Sequence, residues 1–191
     1  MKPSELLNRI EPLGEELMHS LDRAWNRPLQ LPRGQHLILP EETSQDLYFI
    51  ESGLLGIYHP MPEGEEVYVG FGYAPDFIGD VVALISGLPS GYGIKALRGC
   101  QLTSIAGRTW NALKEEYPAL NRCWTKVVEQ ALVGRIDREL DLLTPSPADR
   151  IVRLHQRSPH VFQQVPHKYL ASYLRMTPET LSRNMSKKRI E

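Results

Sequence analysis

The chain has 191 residues, of which 41% are hydrophobic and 24% charged, and its mean hydropathy is −0.33. This length and composition suffice for a hydrophobic core, so neither a disulfide framework nor a structural metal is required. The apolar runs are far shorter than the roughly 20 residues of a membrane-spanning helix. We therefore expect a cytoplasmic protein without membrane contact.

Two cysteines, Cys100 and Cys123, are too few for a disulfide scaffold or a four-cysteine metal site. The sequence shows no combination of a nucleophile, a general base and an orienting group that would form a catalytic site. It also shows no spacing of residues that is typical of metal ligands. We predict a protein that is not an enzyme and that has neither a metal site nor a resident cofactor.

Charge is distributed unevenly along the chain. Residues 146–191 contain nine Lys or Arg and three Asp or Glu, a net charge of +6, whereas residues 1–145 carry −7. A basic segment after an acidic body indicates a polyanionic partner for that segment alone. The alternative, from composition, is a charged helical face that only contacts water.

Residues 1–26 show helical periodicity, because apolar side chains recur at steps of three and four. These positions are Leu6, Ile10, Leu13, Leu17, Leu21 and Trp25. Pro12 and Gly14 are expected to divide the segment into two short helices, with Ser4 as the N-cap of the first.

Residues 27–107 contain most of the glycines, twelve of fourteen, between short apolar runs. The predicted strands are 29–34, 36–40, 46–60, 65–73, 94–97 and 101–107. Glu63 and Gly64 are placed in a hairpin turn, and residues 77–89 in a helical turn followed by a loop. Short strands with turn residues between them are typical of an antiparallel barrel or sandwich.

From residue 108 the pattern is helical again, with a short helix predicted at 111–117 and a long one at 119–143. The long helix has two apolar lines, one of Leu120, Trp124, Val127 and Ala131, the other of Val128, Leu132, Ile136, Leu140 and Leu143. A helix that is apolar on two sides must be covered on both. We expect one line to pack on the β domain and assign the first line to a second copy of the helix; the alternative is burial within one chain.

A Pro-containing linker is predicted at 144–150, where the charge changes sign, and a helix-turn-helix follows it. Lys168–Leu174 is predicted to be the first helix and Arg175-Met176 the turn. Thr177 is the expected N-cap of the second helix, since Pro178 then takes the favoured first position. The inward side chains are expected to be Leu170, Ala171, Leu174, Leu181 and Met185.

The second helix of such a motif enters the DNA major groove. Arg183 is suited to guanine and Glu179 to the cytosine amino group. Lys168, Lys187, Lys188 and Arg189 are suited to phosphates. The predicted DNA-binding set is Lys168, Arg175, Thr177, Pro178, Glu179, Ser182, Arg183 and Lys187. The alternative is a helical hairpin with a charged solvent face.

From Leu6 to Lys188 the chain resembles the Crp/Fnr family of bacterial transcription regulators. In the β region the matching residues are Gly34, Leu47-Tyr48-Phe49-Ile50, Gly53, Gly64 and Phe77-Ile78-Gly79-Asp80. The long helix is similar to the family's dimerisation helix, ADRIVRL at 148–154 to the start of its DNA-binding domain, and TPETLSR at 177–183 to its recognition helix. The segment from Lys168 most resembles Crp-like regulators of Bacteroidetes.

The resemblance implies an α+β fold with an N-terminal antiparallel β-roll of the cyclic-nucleotide-binding type and flanking helices. A long dimerisation helix and an all-α helix-turn-helix domain follow. We predict a β-roll sensor domain at 1–118, the dimerisation helix at 119–143 and the DNA-binding domain at 144–191. The implied partners are double-stranded DNA, a second copy of the chain and RNA polymerase.

Departures from the family concern the effector pocket. Asp80 stands where the family has a ribose-binding glutamate, and Ser90 where it has a phosphate-binding arginine. No basic residue occurs in 81–94, so the charge-assisted bond to a cyclic phosphate is lost. The family's purine-contacting pair falls on Arg135 and Ile136. We predict a pocket that does not take cyclic AMP and is open to another, unidentified effector, with the residues Gly79, Asp80, Ser90, Gly91 and Arg135.

Two further departures lie in the helix-turn-helix. Arg175 replaces the usual turn glycine, and Pro178 replaces the first major-groove arginine, so base readout depends on Glu179, Ser182 and Arg183. We predict a homodimeric, sequence-specific transcription regulator. The alternative is a small-molecule sensor whose basic C-terminal domain docks on a protein partner.

Overall fold

The computed structural model describes residues 1–188, the last two by their backbone alone. Arg189, predicted to contact phosphate, lies outside the described residues. The chain forms two compact units, one of Met1–Glu66 with Gly70–Glu129, the other of Val67–Val69 with the chain from Gln130 onward. Among the described residues, no helix has the length and apolar character needed to cross a membrane.

The N-terminal part contains α1 (Pro3–Ile10) and α2 (Glu15–Ala24), separated at the predicted Pro12–Gly14 break. Ser4 is not the N-cap, because Lys2 takes that position and α1 begins two residues earlier than predicted, at Pro3. Its buried hydroxyl instead donates to Asp22 Oδ1 at 2.5 Å.

One antiparallel sheet follows, with the strand order β1-β6-β3-β4 and two short strands paired alongside. Its strands are β1 (Arg27–Leu31), β2 (His36–Ile38), β3 (Leu47–Pro60), β4 (Glu66–Tyr73), β5 (Asp76–Gly79) and β6 (Gly93–Ile105). The predicted hairpin is confirmed, because Met61 N–H donates to Glu65 O at 2.8 Å and Gly64 has φ of 84°.

Two sequence predictions in the sheet are wrong. The two strands expected at 94–97 and 101–107 form the single strand β6, whose pairing with the long β3 continues through register shifts. At these shifts Gly53 has φ of 105°, and a Cβ there would lie 2.5 Å from Gly99 O. Residues 77–79 belong to β5, which pairs with β3, while the helical turn is α3 (Val81–Ser86).

In the described residues of the first unit, two apolar cores lie on opposite faces of β3, because successive side chains of the strand point to opposite sides. Leu47 and Phe49 face helices α1, α2, α4 (Gly107–Glu116) and α5 (Pro118–Leu143), and Ile50 faces the inside of the roll. Three tryptophans join the helical core: Trp110 lies edge-on to Trp25 and Trp124, with ring centroids 6.2 and 5.1 Å away.

The structure changes the role predicted for the first apolar line of α5. Leu120 and Trp124 are buried in the core of their own chain, and Val127 packs against it, so they are not available to a second chain; Ala131 is exposed. The exposed line is the other one, with Leu132, Ile136, Leu140 and Leu143.

The second unit contains the C-terminal part of α5 and the helices α6 (Pro147–Arg157), α7 (His160–Gln164), α8 (His167–Tyr173) and α9 (Pro178–Lys188). The linker predicted at 144–150 is shorter, because Ser146 caps α6 by accepting from Asp149 N–H at 3.3 Å and Pro147 begins the helix. The α+β class of the chain is confirmed.

Candidate nucleic-acid interface and effector site

Helices α8 and α9 form a helix-turn-helix as predicted. Thr177 Oγ1 accepts from Thr180 N–H at 3.2 Å and Thr177 O from Leu181 N–H at 3.0 Å, which makes Thr177 the N-cap. Pro178 is the first helical residue, where its missing N–H removes no hydrogen bond. The Thr-Pro pair therefore determines where α9 begins.

The turn between the two helices contains a left-handed residue that is not glycine. Arg175 has φ of 56°. Its N–H donates to Ser172 O and the N–H of Met176 to Ala171 O, both at 3.0 Å. This is the Schellman arrangement, in which a left-handed residue ends a helix and two of its last carbonyls find donors.

The two helices meet through small and apolar side chains, all buried as predicted: Leu170, Ala171, Leu174, Leu181 and Met185. Two residues of α6, Ile151 and Leu154, are also buried in this unit. Burial of these side chains leaves the polar face of α9 outward.

The predicted DNA-binding residues lie on that outer face or on the turn. Those exposed to solvent are Lys168, Arg175, Thr177, Pro178, Glu179, Ser182 and Arg183. Lys187 lies in α9, but its side chain is outside the described residues. The Lys168 ammonium lies 4.6 Å from the centre of the Tyr169 ring, a cation–π contact.

Glu179 occupies the first turn of α9. Its own backbone N–H and the Thr177 hydroxyl hold the pKa of the Glu179 carboxyl below its ordinary value. Glu179 is therefore an ionised acceptor, as a contact with a cytosine amino group requires.

Sequence reasoning missed Arg150 as a functional residue and counted it only as positive charge. Its Nη1 donates to Leu174 O at 2.8 Å and to Arg175 O at 3.3 Å, so it contacts the backbone of the turn. The N-cap pattern Ser-Pro before α6 locates Arg150 on a helix, but no sequence signal indicates the distant carbonyls that it contacts.

The residues predicted to line an effector pocket in the first unit form a buried hydrogen-bond network. Asp80 is 1% exposed. Its carboxylate accepts from Ser90 Oγ at 2.6 Å, Tyr92 Oη at 3.0 Å and the N–H of Ala83 at 3.0 Å. Tyr92 Oη in turn accepts from Val81 N–H at 3.1 Å. Both oxygens of the Asp80 carboxylate are therefore engaged by the chain itself.

Tyr92 remains protonated in this network. Burial, and then the neighbouring Asp80 carboxylate, raise the pKa of Tyr92 to about 12. The phenol is therefore a hydrogen-bond donor to Asp80 at neutral pH.

The backbone around Ser90 is held as well. Ser90 O accepts from Glu41 N–H at 3.0 Å, and Gly91 O accepts from His59 Nδ1 at 2.6 Å. Gly79 pairs with Leu47 across β5 and β3. The structure thus brings Gly79, Asp80, Ser90 and Gly91 into one segment of the first unit.

Arg135 belongs to the second unit, where its Nη1 donates to Val69 O at 2.9 Å. Its predicted part in the pocket stays a prediction.

Both cysteines are buried thiols without a disulfide. Cys100 and Cys123 donate to the carbonyls of Leu54 and Leu7, and burial raises the pKa of both thiols. Within residues 1–188, no group of three or more His, Cys, Asp or Glu is arranged to hold a metal ion.

Removal of one donor to Asp80 tests the network. We expect Ser90→Ala to lower the free energy of unfolding by about 2 kcal/mol, because a buried carboxylate loses a hydrogen bond. Thr109→Ala is the control, since it removes a hydroxyl from an exposed residue of α4, and we expect a change within about 0.5 kcal/mol. Urea unfolding measures both, and equal losses in the two variants would contradict the network.

Known proteins resemble this chain both in the β-roll and over most of its length. Residues 28–117 match the family model of the cyclic nucleotide-binding domain. Over 182 residues the chain is 26% identical to the fumarate and nitrate reduction regulatory protein of Yersinia pestis and 27% identical to that of Escherichia coli strain K12. These alignments cover 90% of this chain and 72% of each relative.

Solved structures share the fold. The c-di-GMP-responsive global regulator of Xanthomonas campestris matches with a TM-score of 0.70 at 16% identity, over 92% of both chains. The catabolite activator protein of Thermus thermophilus matches with a TM-score of 0.58 at 20% identity, over 96% of this chain and 87% of that one. The particular likeness to Bacteroidetes regulators stays a prediction. Together these matches support a Crp/Fnr-type regulator, and the matched relatives are transcription regulators rather than enzymes.

Proposed function

We propose that the chain is a homodimeric, sequence-specific transcription regulator whose β-roll does not take cyclic AMP. The observation that carries this proposal is the helix-turn-helix of α8 and α9. Its apolar side is buried, and its polar side is free to enter a major groove. The β-roll at 1–118 senses, the helix at 119–143 dimerises, and residues 144–191 bind DNA.

The predicted DNA-binding residues fall into two sets, one that reads bases and one that contacts phosphates. Arg183 has a planar donor pair that matches the O6 and N7 atoms of guanine, and Glu179 and Ser182 lie on the same exposed face. Lys168, Arg175 and Lys187 supply positive charge for phosphates, which position the helix without reading sequence. The base-reading set is therefore small and depends mainly on Arg183.

A second copy of the chain is proposed to cover the exposed apolar line of α5. Leu132, Ile136 and Leu143 have exposed fractions of 58%, 50% and 73%. Large apolar side chains in a contiguous exposed line indicate an interaction site. Symmetric pairing of identical helices covers this line on both chains and supplies two recognition helices.

The argument against cyclic AMP rests on the Asp80 network. A cyclic phosphate needs a basic partner, and residues 81–94 contain none. Three donors of the chain already engage the Asp80 carboxylate, so it has little acceptor capacity left for a ribose hydroxyl. We therefore propose that any effector is a small molecule other than cyclic AMP. RNA polymerase is the protein partner that the family resemblance implies.

Selection of bound duplexes from a random DNA pool tests the proposal. We expect the wild type to enrich a two-fold-symmetric motif, and Arg183→Ala to relax one base position by about 10- to 100-fold, since a bidentate contact is lost. Added cyclic AMP should leave the motif and the apparent affinity unchanged.

Arg9→Ala is the matched control, because it removes the same charge from an exposed residue of α1. It should enrich the wild-type motif. Bound DNA without an enriched motif, the same in all three proteins, would contradict sequence-specific binding and favour docking of the basic domain on a protein partner.

The dimer has its own test. We expect wild type to have about twice the chain mass of 21.8 kDa in sedimentation, and Ile136→Glu to be monomeric, because a charge would be buried in the helix pair. Gln130→Glu places the same side chain on another face of α5 and should remain dimeric. Equal masses for the two variants would show that the exposed line is not the interface.

A further inference from the structure

The last carbonyls of a helix lack partners within the helix. At the end of α8, the carbonyls of Ala171 and Ser172 accept from the N–H groups of Met176 and Arg175. The carbonyls of Leu174 and Arg175, which lie within the turn, take no part in these two hydrogen bonds. Both receive a donor from another helix.

That donor is Arg150 of α6. Its Nη1 lies 2.8 Å from Leu174 O and 3.3 Å from Arg175 O. The side chain is half-buried, and its Nε is buried without a hydrogen-bond partner among the described residues. A guanidinium in this position is engaged with the turn, so its role differs from that of an exposed phosphate contact.

The two hydrogen bonds from Arg150 offset the conformational strain of Arg175 in the turn. Arg175 adopts a left-handed conformation that favours glycine, at a cost of about 1 kcal/mol for another residue. A charged donor stabilises carbonyl acceptors more than a neutral donor does, and a cation is also favoured at the C-terminal end of α8. Arg150 therefore holds the backbone conformation that a glycine would adopt unaided.

We propose that Arg150 is a positioning residue for DNA readout. It determines the orientation of α9 relative to α8 through the turn carbonyls, and sequence specificity depends on it although it does not contact a base. This inference rests on the proposed DNA binding of α9. It separates Arg150 from Arg183, which reads the base directly.

Affinity for the selected motif and for a random duplex, measured for wild type, Arg150→Met and Arg150→Lys, tests the proposal. Arg150→Met keeps an apolar stem and removes the donor. We expect it to lose about tenfold or more in affinity for the motif, with little change on random DNA. Arg150→Lys keeps a cationic donor and should recover part of the lost affinity.

A merely structural role, or a phosphate contact, gives different results. If Arg150 only stabilised the unit, the two affinities would fall together with the thermal midpoint. If it contacted phosphate, Arg150→Met would weaken binding to both duplexes and lower the salt slope by about 1. Either result overturns the proposal, as does an unchanged ratio of the two affinities.

Hydrogen exchange supplies a readout without DNA. The amides of Arg175 and Met176 should exchange faster in Arg150→Met, whereas amides in the centre of α6 should be unchanged. Unchanged exchange in the turn overturns the positioning role. If the wild-type protein enriches no DNA motif, the proposed function and this inference are both overturned. A wild-type motif that Arg150→Met still binds with the same preference overturns this inference alone.

Discussion

A single left-handed residue, Arg175, joins the two helices on which the proposed DNA readout depends. Because this residue is not glycine, its conformation has to be stabilised by its surroundings. Two backbone bonds and the guanidinium of Arg150 supply that stabilisation. The direction of α9 follows from the turn, and the exposed face of α9 carries Glu179, Ser182 and Arg183. The proposed specificity is therefore built on backbone geometry before any base is contacted.

The β-roll matches the cyclic nucleotide-binding domain, whereas the residues at the predicted effector position differ from those expected for cyclic AMP. Asp80 serves both as N-cap of α3 and as acceptor for Ser90 and Tyr92. A buried carboxylate requires such donors, so the network stabilises this part of the roll. The family relationship gives the architecture, and the residues at the site decide the ligand chemistry.

The extent to which the sequence predicts this structure differs among its parts. The Thr177-Pro178 start of α9 and the break at Pro12–Gly14 follow from local backbone chemistry, so both are confirmed. Ser4 is not the cap because α1 begins at Pro3, with Lys2 as its N-cap, and the Ser4 hydroxyl contacts Asp22, eighteen positions away. The line of Leu120 and Trp124 looked equivalent to that of Leu132 and Ile136, since periodicity does not say which side the chain itself covers. Arg150 and the Asp80 network are long-range contacts, and spacing alone does not indicate their partners.

Hydroxyl-radical footprinting of the wild type on its selected duplex tests the central claim most directly, because it reports dimeric, oriented binding in one measurement. We predict two protected regions related by a two-fold axis, with centres about 34–36 Å apart, as for two recognition helices in successive major grooves on one face of the DNA. One unsymmetrical protected region, or uniform weak protection along the duplex, would contradict the account.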